Sequence, residues 1–269
     1  MAERTPNKAT ICVVNYRTLD FTRLCLRSIR KFTQEPCEVI VVDNDSRDAS
    51  VEYLRGLSWI RLIERRNAND ASGGDAHGAA LDRALAECRT EYLVSLHSDS
   101  FLRRLGWLGD LIGYFGPQTA CVGSGKLELR PLWQQQLHDA FDFRMHLRRL
   151  LRTPDPAGKY RYYNRTICCL YRTEILHREK LSFLMDRDKG LTAGKQLYFE
   201  LVDRGYPTVE LSPSVMTRYV IHLTHATEPV VVKDSSKRQK TVRKIQWRID
   251  RVMNEPWVRD ILQDDSLDR

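Results

Sequence analysis

Asp99 follows the apolar run Tyr92–Leu96 by the short polar turn His97-Ser98. An acid just past a buried strand is suited to hold a divalent cation against phosphate oxygens. Magnesium and manganese favour carboxylate and water oxygens, and manganese accepts imidazole as an extra ligand. The competing role for Asp99 is a cap on the helix that follows, which short polar side chains often supply. Upstream, residues 71–78 read Ala-Ser-Gly-Gly-Asp-Ala-His-Gly. The glycines permit close backbone approach, and a helix starting near Ala76 aims its amide groups toward an anion. A flexible loop leading into a helix is the alternative.

These residues need a frame to hold them. Thr10–Asn15 is a β-branched run, and Asp20–Lys31 carries Phe21, Leu24, Cys25 and Ile29 on one helical face. Glu38–Asp43 is apolar from Val39 to Val42, as a strand covered on both faces should be, and the polar turn Asn44–Asp48 leads into a short helix through Tyr53. Ile60–Ile63 and Tyr92–Leu96 are further strands, with Leu81, Leu85 and Cys88 at helical spacing between them. Strands alternating with helices predict a mostly parallel sheet with right-handed crossovers and helices on both faces. Ligands bind beyond the carboxyl ends of such strands. That singles out Asn15 and Tyr16, Asp43 to Asp45, Arg65 to Asn69, and His97 to Ser100.

Past Asp99 the alternation weakens. Leu105–Phe115, Leu132–Leu151 and Lys195–Arg204 read as helices, the second of them basic and carrying Trp133, Phe141 and Phe143. Ala120–Gly123 and Thr166–Arg172 read as strands, and Val215–Leu223 as an extended stretch. From Val232 the chain turns polar and basic, and Val242, Ile245, Ile249 and Val252 mark an amphipathic helix.

With 269 residues, 42% of them hydrophobic, the chain can bury the core of one large domain. It has no long apolar run of membrane-spanning length, and Met1–Lys8 lacks the apolar stretch of a secretion signal, so a cytosolic protein is expected. Seven cysteines, most of them in apolar segments, fit buried reduced thiols rather than a zinc site or a disulfide framework. The net charge of +8 is concentrated in Arg144–Arg165 and Lys233–Arg251. Nucleic acid is not the expected partner, because no recognition module accompanies the charge. A nicotinamide cofactor is disfavoured, since the first strand runs into Asn15-Tyr16-Arg17 with no Gly-x-Gly-x-x-Gly turn.

Three segments taken in order, Val-Val-Asn-Tyr-Arg, then Val-Ile-Val-Val-Asp-Asn-Asp-Ser, then Tyr-Leu-Val-Ser-Leu-His-Ser-Asp-Ser, resemble the family 2 glycosyltransferases of the GT-A fold. The likeness is good over about the first hundred residues and weaker to about Thr227. It implies a Rossmann-like α/β domain over residues 1–228, with the nucleotide-binding half in 1–100 and the acceptor half in 101–228. A basic amphipathic helical tail over 229–269 completes the chain. The activity implied is metal-assisted transfer of a sugar from a nucleoside diphosphate-sugar donor to a glycan, lipid-linked or small-molecule acceptor. A non-catalytic sugar-nucleotide-binding or assembly protein of the same fold is the alternative.

The resemblance also assigns residues. Asp43 corresponds to the acid that reads the nucleotide base, Asn15 and Tyr16 line the base pocket, and Asp45 belongs to the turn beside it. His77 stands near the place of a donor-side asparagine. The family's Asp-x-Asp metal motif has His97 at its first position and Asp99 at its second, so Mn2+ or Mg2+ is the implied cofactor. A histidine from the region of His222 and His225 commonly completes the metal shell, and His225 is preferred to His222. The family's catalytic base aligns with Ala193 and Gly194, neither of which accepts a proton, leaving Asp186 and Asp188 as reserve candidates. The basic helix, with Arg144, Arg148, Arg149 and Arg152, is suited to hold a phosphorylated or otherwise acidic acceptor, and a solvated helix face is the alternative for each arginine. The tail helix is expected to dock on the domain or on a second copy, forming a homodimer. Peripheral contact with the inner face of the membrane is the alternative for it.

Overall fold

The computed structural model describes residues 7–66, 70, 72–129, 132–141, 143, 147, 163–184, 191–223 and 239–269. Its strands are β1 (Ala9–Asn15), β2 (Cys37–Asp43), β3 (Arg61–Glu64), β4 (Tyr92–His97), β5 (Ser100–Leu102), β6 (Cys121–Ser124), β7 (Cys168–Arg172), β8 (Thr208–Leu211) and β9 (Val220–His222). The helices are α1 (Leu19–Phe32), α2 (Ala49–Arg55), α3 (Gly73–Glu87), α4 (Trp107–Ile112), α5 (Leu132–Phe141), α6 (Thr173–Arg178), α7 (Lys195–Asp203), α8 (Pro213–Met216), α9 (Gln239–Met253) and α10 (Pro256–Gln263).

Seven strands form one sheet in the order β3-β2-β1-β4-β7-β6-β8. The β1–β2, β2–β3, β1–β4 and β6–β8 pairs are parallel, and β7 runs antiparallel to both neighbours. Side chains alternate across it as the pleat requires. Ile11, Val13, Val39 and Val41 enter one apolar layer with Leu24 and Ile29 of α1, while Cys12, Val14, Ile40 and Val42 enter the other with Leu81 and Leu85 of α3. The chain leaves β1 for β2 on one side and returns to β4 on the other, so a crevice opens between the carboxyl ends of β1 and β4. Asn15 and His97 end those two strands.

Three local expectations need correction. Val215–Leu223 is not extended throughout: Pro213, pre-set for a first helical position, starts the short helix α8, and only Val220–His222 is strand. The helix expected from Ala76 begins at Gly73, because Ser72 accepts from the Asp75 backbone N–H and donates to the Asp75 carboxylate. Asp99 caps no helix. It leads into β5, which pairs antiparallel with β9 in a separate two-stranded sheet.

The described part of the tail, residues 239–269, packs on the domain. Ile245, Ile249, Val252, Val258 and Ile261 are buried in the same apolar layer as Leu24 and Ile29. Arg27, inside α1 and 2% exposed, donates to the carbonyls of Ile261 and Leu262 and pairs with Asp265 and Asp268. Tyr53 donates to Asp268 at 2.8 Å. Docking on the domain therefore occupies the apolar stripe that would otherwise face a membrane or a second copy.

Candidate active site

The pairing of β5 with β9 sets Ser100 opposite His222, and the Leu223 N–H donates to the Asp99 carbonyl at 2.9 Å. This register brings His222 Nε2 to 3.3 Å from Asp99 Oδ1. His97, at the end of β4, places Nδ1 3.8 Å from the same oxygen. One ligand atom from each of His97, Asp99 and His222 lies within 4.8 Å of the other two. Asp99 and His222 are buried, whereas His97 is half-buried. Burial alone would push the Asp99 carboxyl up, but the imidazole of His222, and then that of His97, hold it below its ordinary value.

A third imidazole stands behind the first two. The His77 and His97 rings meet edge to face, centroids 4.7 Å apart. Both place Nε2 on the Thr166 hydroxyl, at 3.3 Å for His77 and 3.1 Å for His97. Desolvation pushes the pKa of His77 down to about 4 and that of His97 well below its ordinary value, with His77 adding to the latter shift. Both rings are thus neutral near pH 7. One hydroxyl can donate to one such ring and accept from the other, which fixes their orientations. Thr166 escaped the sequence reading, where it appears only as a polar residue at the start of a strand.

Glycines make this packing possible. A side chain at Gly78 would meet the Phe183 carbonyl oxygen at 2.7 Å, so α3 can approach the 181–184 segment only without one. Gly194 has φ +74° and its missing Cβ would lie 2.4 Å from the Thr166 methyl. Gly194 therefore has no room for a side chain. Beside it, Arg165 and Lys195 both lie over the Tyr163 ring, at 5.2 and 5.7 Å.

Asn15 and Asp43 face the other flank of the crevice. The Asn15 amide donates to Asp43 Oδ1 at 2.7 Å and reaches Ser46 and Ser50, while Thr22 donates to its carbonyl oxygen at 2.7 Å. The Ser46 N–H and hydroxyl also donate to Asp43. These bonds lock the turns after β1 and β2, where Arg17, Asp45 and Arg47 adopt φ of +54°, +59° and +52°. Asp45 accepts both arms of Arg47, at 2.9 and 2.7 Å, and Tyr16 is 38% exposed at the rim. A cleft of about 570 Å3 opens beside Asp43 and Asp45, between Glu52 and Glu64, and none of the three histidines lines it.

The structure thus gathers His77, His97, Asp99 and His222, and separately Asn15, Asp43 and Asp45. Of the two candidate histidines, His222 reaches Asp99, and His225, the preferred one, lies outside the described residues. Asp186 and Asp188, together with Arg144, Arg148, Arg149 and Arg152, also lie outside them.

A mostly parallel sheet with polar turns gathered at its carboxyl ends is the architecture of GT-A glycosyltransferases, and known structures agree. A mannosyltransferase of Pyrobaculum calidifontis, solved with GDP-mannose and Mn2+, superposes with a TM-score of 0.54 at 15% identity, over 96% of this chain and 75% of that one. Glucosyl-3-phosphoglycerate synthase of Mycobacterium tuberculosis, solved with Mn2+, UDP and glucosyl-3-phosphoglycerate, gives 0.51 at 16% identity, over 92% and 79%. The sequence profile described as Glycosyl transferase family 2 matches residues 10–175, more than half of the chain. The chain belongs to that family. EpsH of Bacillus subtilis (strain 168), named as a glycosyltransferase, is 27% identical over 97 residues, 35% of this chain. That match spans only 26% of EpsH.

Proposed function

We propose that this chain transfers a sugar from a nucleoside diphosphate-sugar donor to a glycan, lipid-linked or small-molecule acceptor, with a divalent cation held by Asp99, His222 and His97. The approach of His222 to Asp99 carries the reading. Two strands far apart in sequence place an imidazole and a carboxylate on one spot at the mouth of the crevice. One carboxylate and two imidazoles suit Mn2+ better than Mg2+, which prefers oxygen alone. Bound there, the cation supplies positive charge to a diphosphate leaving group.

The protein's own groups do the rest. Asn15 and Asp43 stiffen the turns that receive the nucleoside, with Tyr16 and Asp45 at its rim. Thr166 and His77 keep the His97 ring turned so that Nδ1 faces Asp99. The proton of the acceptor hydroxyl is assigned to Asp186 or Asp188, because Ala193 and Gly194 carry no acid.

Donor hydrolysis and transfer across a panel of uridine and guanosine diphosphate sugars, with and without Mn2+, test the proposal. Metal-dependent turnover of at least one donor is expected. Tight nucleotide binding without turnover, even with acceptors present, would favour the non-catalytic alternative. No binding and no turnover would refute both.

A further inference from the structure

Helix α5 is amphipathic in the reverse of the usual sense. Its inward face is polar: Gln135 and Asp139 are 4% and 8% exposed, Gln135 donates to Asp139 at 2.9 Å, and Asp139 accepts from the Ser214 backbone N–H at 2.8 Å. Its outward side carries an apolar stripe, flanked by exposed Gln134, Gln136 and His138. Trp133, Leu137 and Phe141, spaced one turn apart, are 60%, 50% and 68% exposed. Phe143 and Leu147 continue the chain at 71% and 55%, and the Phe143 ring lies edge to face with Phe141, centroids 6.4 Å apart. Single exposed apolar residues are ordinary, but a run of aromatic and aliphatic side chains along one helix face marks a surface that meets something apolar.

We infer that this face of α5 docks on an anionic lipid bilayer. The mixture of Trp, Phe and Leu is the composition of helices that lie in the headgroup region, where indole and phenyl rings are favoured. Charge selects the lipid. After α5 the sequence carries Arg144, Arg148, Arg149, Arg152, Lys159, Arg161 and Arg165, against the two acids Asp142 and Asp155. Clustered basic residues beside an inserting apolar face bind anionic headgroups. The same charge opposes self-association through this face, because two copies would each bring a basic segment and a net charge of +8. No helix among the described residues is long and apolar enough to cross a membrane, so the contact is peripheral. Through Asp139 the docking helix is tied to α8, from which the chain runs through β9 to His222.

Sedimentation of the full chain with vesicles tests the inference, using phosphatidylglycerol and phosphatidylcholine in roughly equal parts, or phosphatidylcholine alone, at about 0.1 M salt. The protein is expected to sediment with the anionic vesicles and not with the neutral ones. The double variant Leu137→Ser/Phe141→Ser should bind at least about tenfold more weakly while melting at the same temperature, since both side chains are exposed. Vesicles should shift the tryptophan emission of the wild type to the blue, and Trp133→Phe should abolish that shift without abolishing binding. Three results would each overturn the inference: wild type that ignores anionic vesicles, a double variant that binds as well as wild type, or a concentration-dependent dimer that the double variant dissolves.

Discussion

His222 Nε2 lies 3.3 Å from Asp99 Oδ1 because two three-residue strands pair in one register, with Ser100 opposite His222. The carboxylate is buried, and that imidazole, followed by that of His97, holds it below its ordinary pKa. Replacing His222 with Ala should lower Mn2+ affinity by at least about tenfold, by removing a ligand from the set. Titration of wild type and variant with Mn2+, followed by paramagnetic resonance, measures the change.

The histidines make stability pH-dependent. His77 and His97 have pKa values depressed by desolvation, so the folded state binds fewer protons than the unfolded chain in acid. Their contribution is complete above the ordinary histidine value of about 6.5 and is lost as pH falls toward the folded values, near 4 for His77. Urea unfolding of the metal-free protein should therefore show stability dropping between about pH 6.5 and 4. The drop should be shallower in His77→Asn.

Gly194 tolerates no side chain. Gly194→Ala combines an unfavourable φ of +74° with a contact of 2.4 Å to the Thr166 methyl. It is expected to cost about 1–3 kcal/mol in denaturant unfolding. Because Thr166 must move, the orientation of His97 and the Mn2+ affinity should suffer with it.

Arg27 fastens the tail. Arg27→Ala leaves Asp268 and the end of α10 without the guanidinium, Tyr53 alone still donating to Asp268, and should destabilise the fold by roughly 3 kcal/mol. Burial pushes the Asp268 carboxyl up, but Arg27 and then Tyr53 pull it below its ordinary value. This contribution is therefore present above the unfolded aspartate pKa and is lost as pH falls through the folded one. An acid unfolding curve of Asp268→Asn should lack that component.

The acceptor's proton should go to one of the two acids assigned to it. Asp186→Asn or Asp188→Asn is expected to reduce transfer by about a hundredfold or more while leaving nucleotide affinity unchanged. Steady-state transfer measured beside nucleotide binding separates the two effects.

Much of the frame was legible because its signals are local. Val39 to Val42 and Tyr92 to Leu96 read as buried strands, and the turns after them exposed Asp43, His97 and Asp99 to inspection. The approach of His222 to Asp99 was not legible, since it rests on the register of strands too short to carry a hydrophobic pattern. Thr166 left no trace in sequence, because its importance comes from where His77, His97 and Gly194 converge. Docking of the tail on the domain was one of the expected outcomes, but its anchor was hidden for a related reason: Arg27 sits in α1, and its partners Asp265 and Asp268 lie near the other end of the chain. The reverse amphipathicity of α5 also required the structure, since Trp133 and Phe141 alone do not say which face is covered.

The most direct measurement is Mn2+ binding, with nucleoside diphosphate present, to wild type and to Asp99→Asn. Wild type should bind the ion and hydrolyse its donor, and the variant should lose both while keeping its melting temperature within a few degrees. An Asp99→Asn protein that holds Mn2+ and turns over donor as wild type does would contradict the assignment of this carboxylate as the metal's anchor.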